Sequence, residues 1–402
     1  MKKIFFSLLF FFSPQLIAVD NDTLNLEALK EWIATKRALT IDERGGALSI
    51  SADIHVEYIA LSEQKNGVKY LGSQSLHPLI ASDQFDIEFN FLLDYRTDMT
   101  WASSKLEYDN NMGIYGGTFD GLTLERAFFG FRLSETDVST TDLEFGRRFL
   151  SYTFDSQIQF GALMDGILLL YNRTTELYGD FYLYAAPFVV SEIFSHISFV
   201  VETGLLNIYN TGFYAKYSLI DWATHDYEDE RINYAYNYLN SQFLLGYRFQ
   251  NPFFDAVSVA YAAFLFNALA KPFEILDNRL DNLAGYIGIS MGEIRKKNDW
   301  SLDFNVQFVQ PQAIPFMDFS GIGIENPDNI GLYTLFANGQ GAATIRETAV
   351  ANSNYWGFKL SFLYALQDTI TLSQSFSFTR PLMEMHNKFD FQKYKLELIY
   401  AL

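Results

Sequence analysis

The chain has 402 residues, of which 49% are apolar, 17% aromatic and only 19% charged, the last below the roughly 25% of an average soluble domain. It contains no Cys, which excludes a disulfide framework, Cys-ligated zinc, iron–sulfur clusters, a thiol nucleophile and a lipid-modified N-terminal Cys. With 29 Lys+Arg against 48 Asp+Glu the formal charge is −19. That balance argues against a nucleic-acid partner, because phosphate neutralisation needs a basic surface.

Residues 1–18 read as a cleaved secretory signal. Lys2 and Lys3 form a positive start, Ile4 to Phe12 is apolar apart from Ser7, Pro14 closes the run, and Ala18 offers a small residue before the cut. The apolar run is too short for a spanning helix, which needs about 20 residues. Residues 19–46 are expected to form a short periplasmic leader helix. Asp22 or Thr23 is placed to cap it, Leu26, Leu29 and Ile33 share one face, and Lys36 and Arg37 lie near its end. An unstructured leader, subunit packing and cell-wall contact are the readings open for this segment.

From residue 47 to 402 the dominant signal is alternation with period two, the mark of strands. Leu48, Ile50, Ala52, Ile54, Val56 and Tyr58 alternate with Ser49, Ser51, Asp53, His55 and Glu57. Phe85, Ile87, Phe89, Phe91, Leu93 and Tyr95 alternate with Asp86, Glu88, Asn90, Leu92, Asp94 and Arg96. Weaker runs lie near 100–109, 122–133, 142–150, 166–172, 178–190, 195–203, 212–221, 240–249, 257–266 and 283–293. The segment Ala256–Ala270 is the best remaining candidate for a spanning helix. It is too short, and it holds Ser258 and Asn267. The alternation returns at 300–308, 356–366, 369–378 and 393–402. Residues 310–354, with Pro311, Pro315 and Pro327 and little alternation, read as a long loop, either external or folded into the lumen, with one edge strand near 331–337.

Many runs are about ten residues long with aromatic residues near the ends of the apolar face, which is the pattern of a transmembrane β-barrel. Backbone polar groups in lipid must pair, so such strands must close on themselves. A soluble β-sandwich also alternates, but its outward faces are polar and rarely carry so many long, aromatic-ended stripes. The chain length predicts an all-β, antiparallel barrel of about 16 strands, within 14–18.

The signal, the alternating strands and a last strand ending Tyr400-Ala401-Leu402 together resemble Gram-negative outer membrane porins. Leu402 departs from the Phe or Trp usual at that family's end. Gly146-Arg147 and Asp165-Gly166, within Leu143–Tyr171, look like the paired GR and DG strands of many porins. The leader followed by Gly45-Gly46 is similar to carbohydrate- or phosphate-selective porins and to porin-like proteins of chlamydia-type bacteria. The resemblance implies a bacterial outer membrane location, contact with outer membrane lipids and lipopolysaccharide, insertion by the barrel assembly machinery, and a homotrimer.

If the apolar faces meet lipid, the intervening charged residues line a pore. The candidates are Asp86, Glu88, Asp94, Arg96, Arg126, Arg132, Glu144, Arg148, Asp303 and Lys359, with Lys395 on the last strand. Opposed acids and bases across a constriction would filter solutes by charge. A merely solvated wall is the plainer reading for any one of them. A phosphate filter needs an Arg/Lys ladder, and the basic residues do not cluster enough to offset the acidic charge, so such a filter is disfavoured and weak cation preference or little selectivity is expected. The acidic run 225–230, HDYEDE, suits a solvated loop or divalent ions with lipopolysaccharide. Catalytic pairs are visible as His196/Ser198 and Asp53/His55, but two-residue spacing in a strand is common by chance and no motif supports either. The reading is therefore a channel for small hydrophilic solutes or ions, not an enzyme, with no cofactor and no metal. A surface-exposed structural or adhesin barrel is the alternative, and a barrel hydrolase is a weaker one.

Overall fold

A computed structural model describes residues 39–43, 46–65, 68–70, 83–109, 121–175, 177–191, 196–222, 238–254, 256–270, 272, 279–315, 318–326, 333–335, 343–345, 353–383 and 388–401. Sixteen long strands build a closed antiparallel barrel. In chain order they are β1 (Gly46–Lys65), β2 (Asp83–Thr97), β3 (Thr100–Asp109), β4 (Gly121–Thr136), β5 (Ser139–Phe149), β6 (Leu163–Thr175), β7 (Gly179–Ser191) and β8 (His196–Ile208). They continue as β9 (Phe213–Asp221), β10 (Leu239–Asn251), β11 (Ala256–Asn267), β12 (Leu283–Gly292), β13 (Trp300–Val309), β14 (Tyr355–Gln367), β15 (Ile370–Pro381) and β16 (Phe389–Ala401). Each pairs with the next in sequence. β16 closes on β1 from Asp53↔Ala401 to Lys65↔Phe389. Closure satisfies both edges of the sheet, as a barrel in lipid requires.

Residues 1–38, with the signal and most of the leader, lie outside the described residues. The leader helix expected over 19–46 has no support. Its described part, Leu39–Glu43, is a strand that pairs antiparallel with Gly46–Ile50, so the chain reaches the barrel as a hairpin. Ala256–Asn267 is a strand, as its shortness and polar residues require, and no described helix is long and apolar enough to cross a membrane.

The period-two pattern becomes two chemically different faces. Phe85, Ile87, Phe89, Phe129, Phe145, Ile197, Phe199, Phe243, Leu245 and Ile287 are exposed on the outside. The alternate residues point inward, where Asp53, Glu57, Asp86, Asn90, Glu144, Glu202, Asn305 and Ser377 are buried. Short turns join the strands at one end, such as 98–99, 137–138 and 368–369, and longer connections join them at the other.

Two of the long connections fold into the barrel. Residues 150–162, between β5 and β6, bury Leu150, Phe154, Ile158 and Phe160 completely or nearly so. Residues 310–315 and 318–326, between β13 and β14, bury Ile314 and Ile322, the latter on a short helix α1 (Ile322–Glu325). The expected edge strand is present as Tyr333–Leu335, paired with Ala343–Ile345 in a separate sheet. Burial of each such Phe or Ile contributes about 1.5–3 kcal/mol, enough to hold a connection that has no ladder of its own. The two inward segments touch backbone to backbone. A Cβ on Gly161 would lie 1.7 Å from the Phe319 carbonyl oxygen, and one on Gly321 (φ +56°) would lie 2.0 Å from that of Gln157. Glycine is required at both positions.

Candidate functional site

The interior is divided into sectors by which strands carry which inward residues. All ten sequence candidates lie on inward-facing positions of their strands. Asp86, Glu88 and Asp94 stand on β2 with Arg96, which is exposed at the short-turn rim. Arg132 donates to Asp142 and Glu135 at 2.9 Å each. Glu144 accepts from the Trp101 indole at 2.5 Å and pairs with Arg148. Asp303 accepts from Ser290 at 2.5 Å and from Tyr261 at 3.0 Å. Lys359 pairs with Glu325 of α1 at 2.7 Å. Arg126 stacks over the Tyr152 ring at 5.7 Å, and Arg148 over Phe128 at 3.9 Å.

Of the ten, Arg126 and Arg148 line an interior cavity of about 610 Å³. The cavity is roofed by residues 151–157 and walled by inward residues of strands from β4 to β12. Lys216 and Arg248 stand in the same wall. The four bases are far apart along the chain, and closure of the sheet gathers them. They do not form an all-basic ladder, because Asp155, Asp180 and Glu202 share the wall.

Tyrosines Tyr182, Tyr184, Tyr214, Tyr261 and Tyr286 line the cavity and were not among the candidates. Tyr suits either face of a membrane strand, so alternation alone does not place it. The signal that does place it is a directly opposed glycine. Tyr182 faces Gly204, Tyr214 faces Gly246, Tyr261 faces Gly288, and Trp101 faces Gly130 in register. A Cβ on any of these glycines would lie only 2.0–2.4 Å from a ring atom. The missing side chain lets the ring lie flat on the wall, and flat rings leave the lumen open.

The inward segment 150–162 is tied to the wall by polar contacts. Ser156 Oγ donates to Gln242 at 2.8 Å, and Gln242 Nε2 donates back to the Asp155 carbonyl at 2.8 Å. Asn240 donates to Gln159 at 3.2 Å, Lys216 pairs with Asp155 at 2.7 Å, and the Asp155 amide donates to Glu202 at 3.1 Å. On the second inward segment, burial pushes Asp318 up to about 7, against the pull of backbone N–H groups at Phe160, Ala162 and Gly161. Burial also disfavours charge on Glu325, but Lys359 and Lys393 outweigh it and hold that carboxyl well below the usual range.

Sequence reasoning also missed Glu125. A bulge between β3 and β4 turns it inward, where Lys105 donates to it at 2.5 Å. Arg147 and Arg148 point to opposite faces, Arg147 pairing with Asp165 outside at 2.6–2.7 Å. Ser198 is buried, whereas the His196 side chain, His77, His386 and the run 225–230 lie outside the described residues.

An apolar exterior, a charged interior and inward connections between closed strands define a sixteen-stranded transmembrane β-barrel with a partly filled lumen. Among solved structures, OmpF of Salmonella typhi, in a complex with daunomycin, matches with a TM-score of 0.51 at 11% identity, over 90% of this chain and 100% of that one. OprB of Pseudomonas putida at high pH matches with a TM-score of 0.51 at 9% identity, over 88% and 94%. At these identities the likeness is one of fold. No protein-family model and no curated protein matches the chain.

Proposed function

We propose that the chain forms a water-filled channel in a bacterial outer membrane, through which small hydrophilic solutes or ions diffuse passively. The observation that carries this reading is the charged, tyrosine-lined cavity inside a barrel whose outer face is apolar. An interior meant only for stability would be close-packed. The sector formed by β16 and β1–β4 carries Asp53, Glu57, Asp86, Glu88, Glu107, Glu125 and Glu397, with Lys105 and Lys395 paired to two of them, and the acidic excess of the whole chain, 48 Asp+Glu against 29 Lys+Arg, favours weak cation preference or little selectivity. Mechanism is diffusion set by lumen width and wall charge, with no covalent step. Export by the signal at residues 1–18, insertion by the barrel assembly machinery, contact with lipopolysaccharide and a homotrimer belong to the same proposal.

The test is single-channel conductance and reversal potential in a planar bilayer, using protein refolded in detergent and a salt gradient. Stepwise conductance with mild cation preference is expected. Anion preference would refute the charge assignment. A folded, heat-modifiable barrel without conductance would refute the channel.

A further inference from the structure

Across the lumen from the tyrosines, the wall carries a constellation that diffusion does not require. On β1, Asp53, His55 and Glu57 project inward in a row. The register sets Glu57 directly against Glu397 of β16, and Asp53 against Asn90 of β2. His55 Nδ1 lies 2.7 Å from Glu397 Oε1 and is hydrogen-bonded to it. Nε2 lies 2.7 Å from Asp53 Oδ1, an ion pair when the ring is protonated, and makes no hydrogen bond. His55 is only 8% exposed, so water does not readily supply the missing partner. The ligand atoms of His55, Glu57 and Glu397 all lie within 4.8 Å of one another.

We propose that His55, Glu57 and Glu397, with Asp53 beside them, form a binding site for a first-row divalent transition metal of the zinc type. One imidazole with carboxylate oxygens suits Zn²⁺ or Mn²⁺, whereas Ca²⁺ and Mg²⁺ favour oxygen ligands alone. The charge balance favours a cation as well. Three carboxylates surround the imidazole, and the nearest ammonium, Lys395, is shared between Glu57 and Glu397, the latter at 4.0 Å. The metal competes with Lys395 for Glu57 and takes the imidazole in its neutral form, releasing any proton it carries. Asn90 donates to Asp53 at 2.9 Å and to Glu88 at 2.5 Å, which orients the carboxylate beside the site.

The test titrates ZnCl₂ into the whole chain, refolded in detergent, by isothermal calorimetry. One Zn²⁺ per chain is expected for the wild type, and at least tenfold weaker binding for His55→Gln with unchanged heat-modifiable migration. X-ray absorption of the zinc-loaded wild type needs no variant. It should show a single imidazole with oxygen neighbours at about 2.0–2.2 Å. Absence of stoichiometric zinc, two or more imidazoles around the metal, or wild-type affinity in folded His55→Gln would each overturn the proposal. None of these readouts depends on conductance, so the site and the channel stand or fall separately.

Discussion

Replacing Gln242 by Leu tests whether residues 150–162 are held in the lumen by specific polar contacts. Gln242 is 1% exposed and makes two hydrogen bonds to that segment, accepting from Ser156 and donating to the Asp155 carbonyl. Leu has a similar volume and can do neither. A stranded buried partner costs about 1–3 kcal/mol. Ser156 Oγ retains the amides of Ile158 at 3.2 Å and Gln159 at 3.1 Å, which it accepts. The combined cost is therefore about 2–4 kcal/mol. At 1.4 kcal/mol per tenfold, the population with the segment detached rises about 30- to 700-fold. Lys216, Asn240 and the buried Phe154, Ile158 and Phe160 still hold it, so the seated state stays dominant and the barrel ladder is untouched. Single-channel recording should show more open-channel noise and brief conductance increases. The native chain has no Cys, so Ser156→Cys with Gln242→Cys can be joined selectively by a short bis-maleimide that replaces the reach of the Gln242 side chain, and cross-linking should abolish the excursions in that variant. Unchanged noise in Gln242→Leu, or excursions that persist in the locked protein, would refute the tether.

Three further outcomes follow from the same geometry. Phe89→Arg puts a charge on the lipid face and should cost about 2–4 kcal/mol near the bilayer midplane, whereas Glu88→Arg should assemble and shift the reversal potential toward anions; heat-modifiable migration and bilayer recording read the two, and equal tolerance would reverse the face assignment. Gly246→Ala places a Cβ about 2.0 Å from the Tyr214 ring, so the ring should leave the wall and lower conductance, and adding Tyr214→Ala should restore it; an unchanged conductance step in Gly246→Ala would contradict the flat-ring packing. Asp318 has its pKa raised from 3.8 to about 7 by burial. A carboxyl whose folded pKa is raised is destabilising when ionised, so the contact between the two inward segments should strengthen as pH falls from 7 toward 4. Hydrogen exchange at Gly161 and Ala162 should slow across that window, and Asp318→Asn should flatten the dependence; exchange that quickens with acid, after correction for intrinsic rates, would contradict this sign.

The strands were legible in the sequence because a membrane strand has only two faces. Phe85 to Tyr95 must meet lipid, and Asp86 to Arg96 must not, so polarity writes the face directly. The same logic set the strand number at about 16. It failed where the period broke or polarity was ambiguous. Glu125 is one residue out of phase because of a bulge. Tyr182, Tyr184, Tyr214, Tyr261 and Tyr286 are amphipathic, so either face accepts them.

Alternation is a local property, fixed by the pleat of a single strand, and it determined the fold class, the approximate strand number and the lipid-facing surface. What fills the lumen depends on residues brought together by closure of the sheet. Leu150, Phe154, Ile158 and Phe160 lie in a connection with no strand partner to mark a face, and only the barrel interior shows where their apolar area is buried. Arg126, Arg148, Lys216 and Arg248 are separated by tens of residues, and His55 by more than three hundred from Glu397. Their encounters come from strand register around a closed circuit, which no single segment of the chain records.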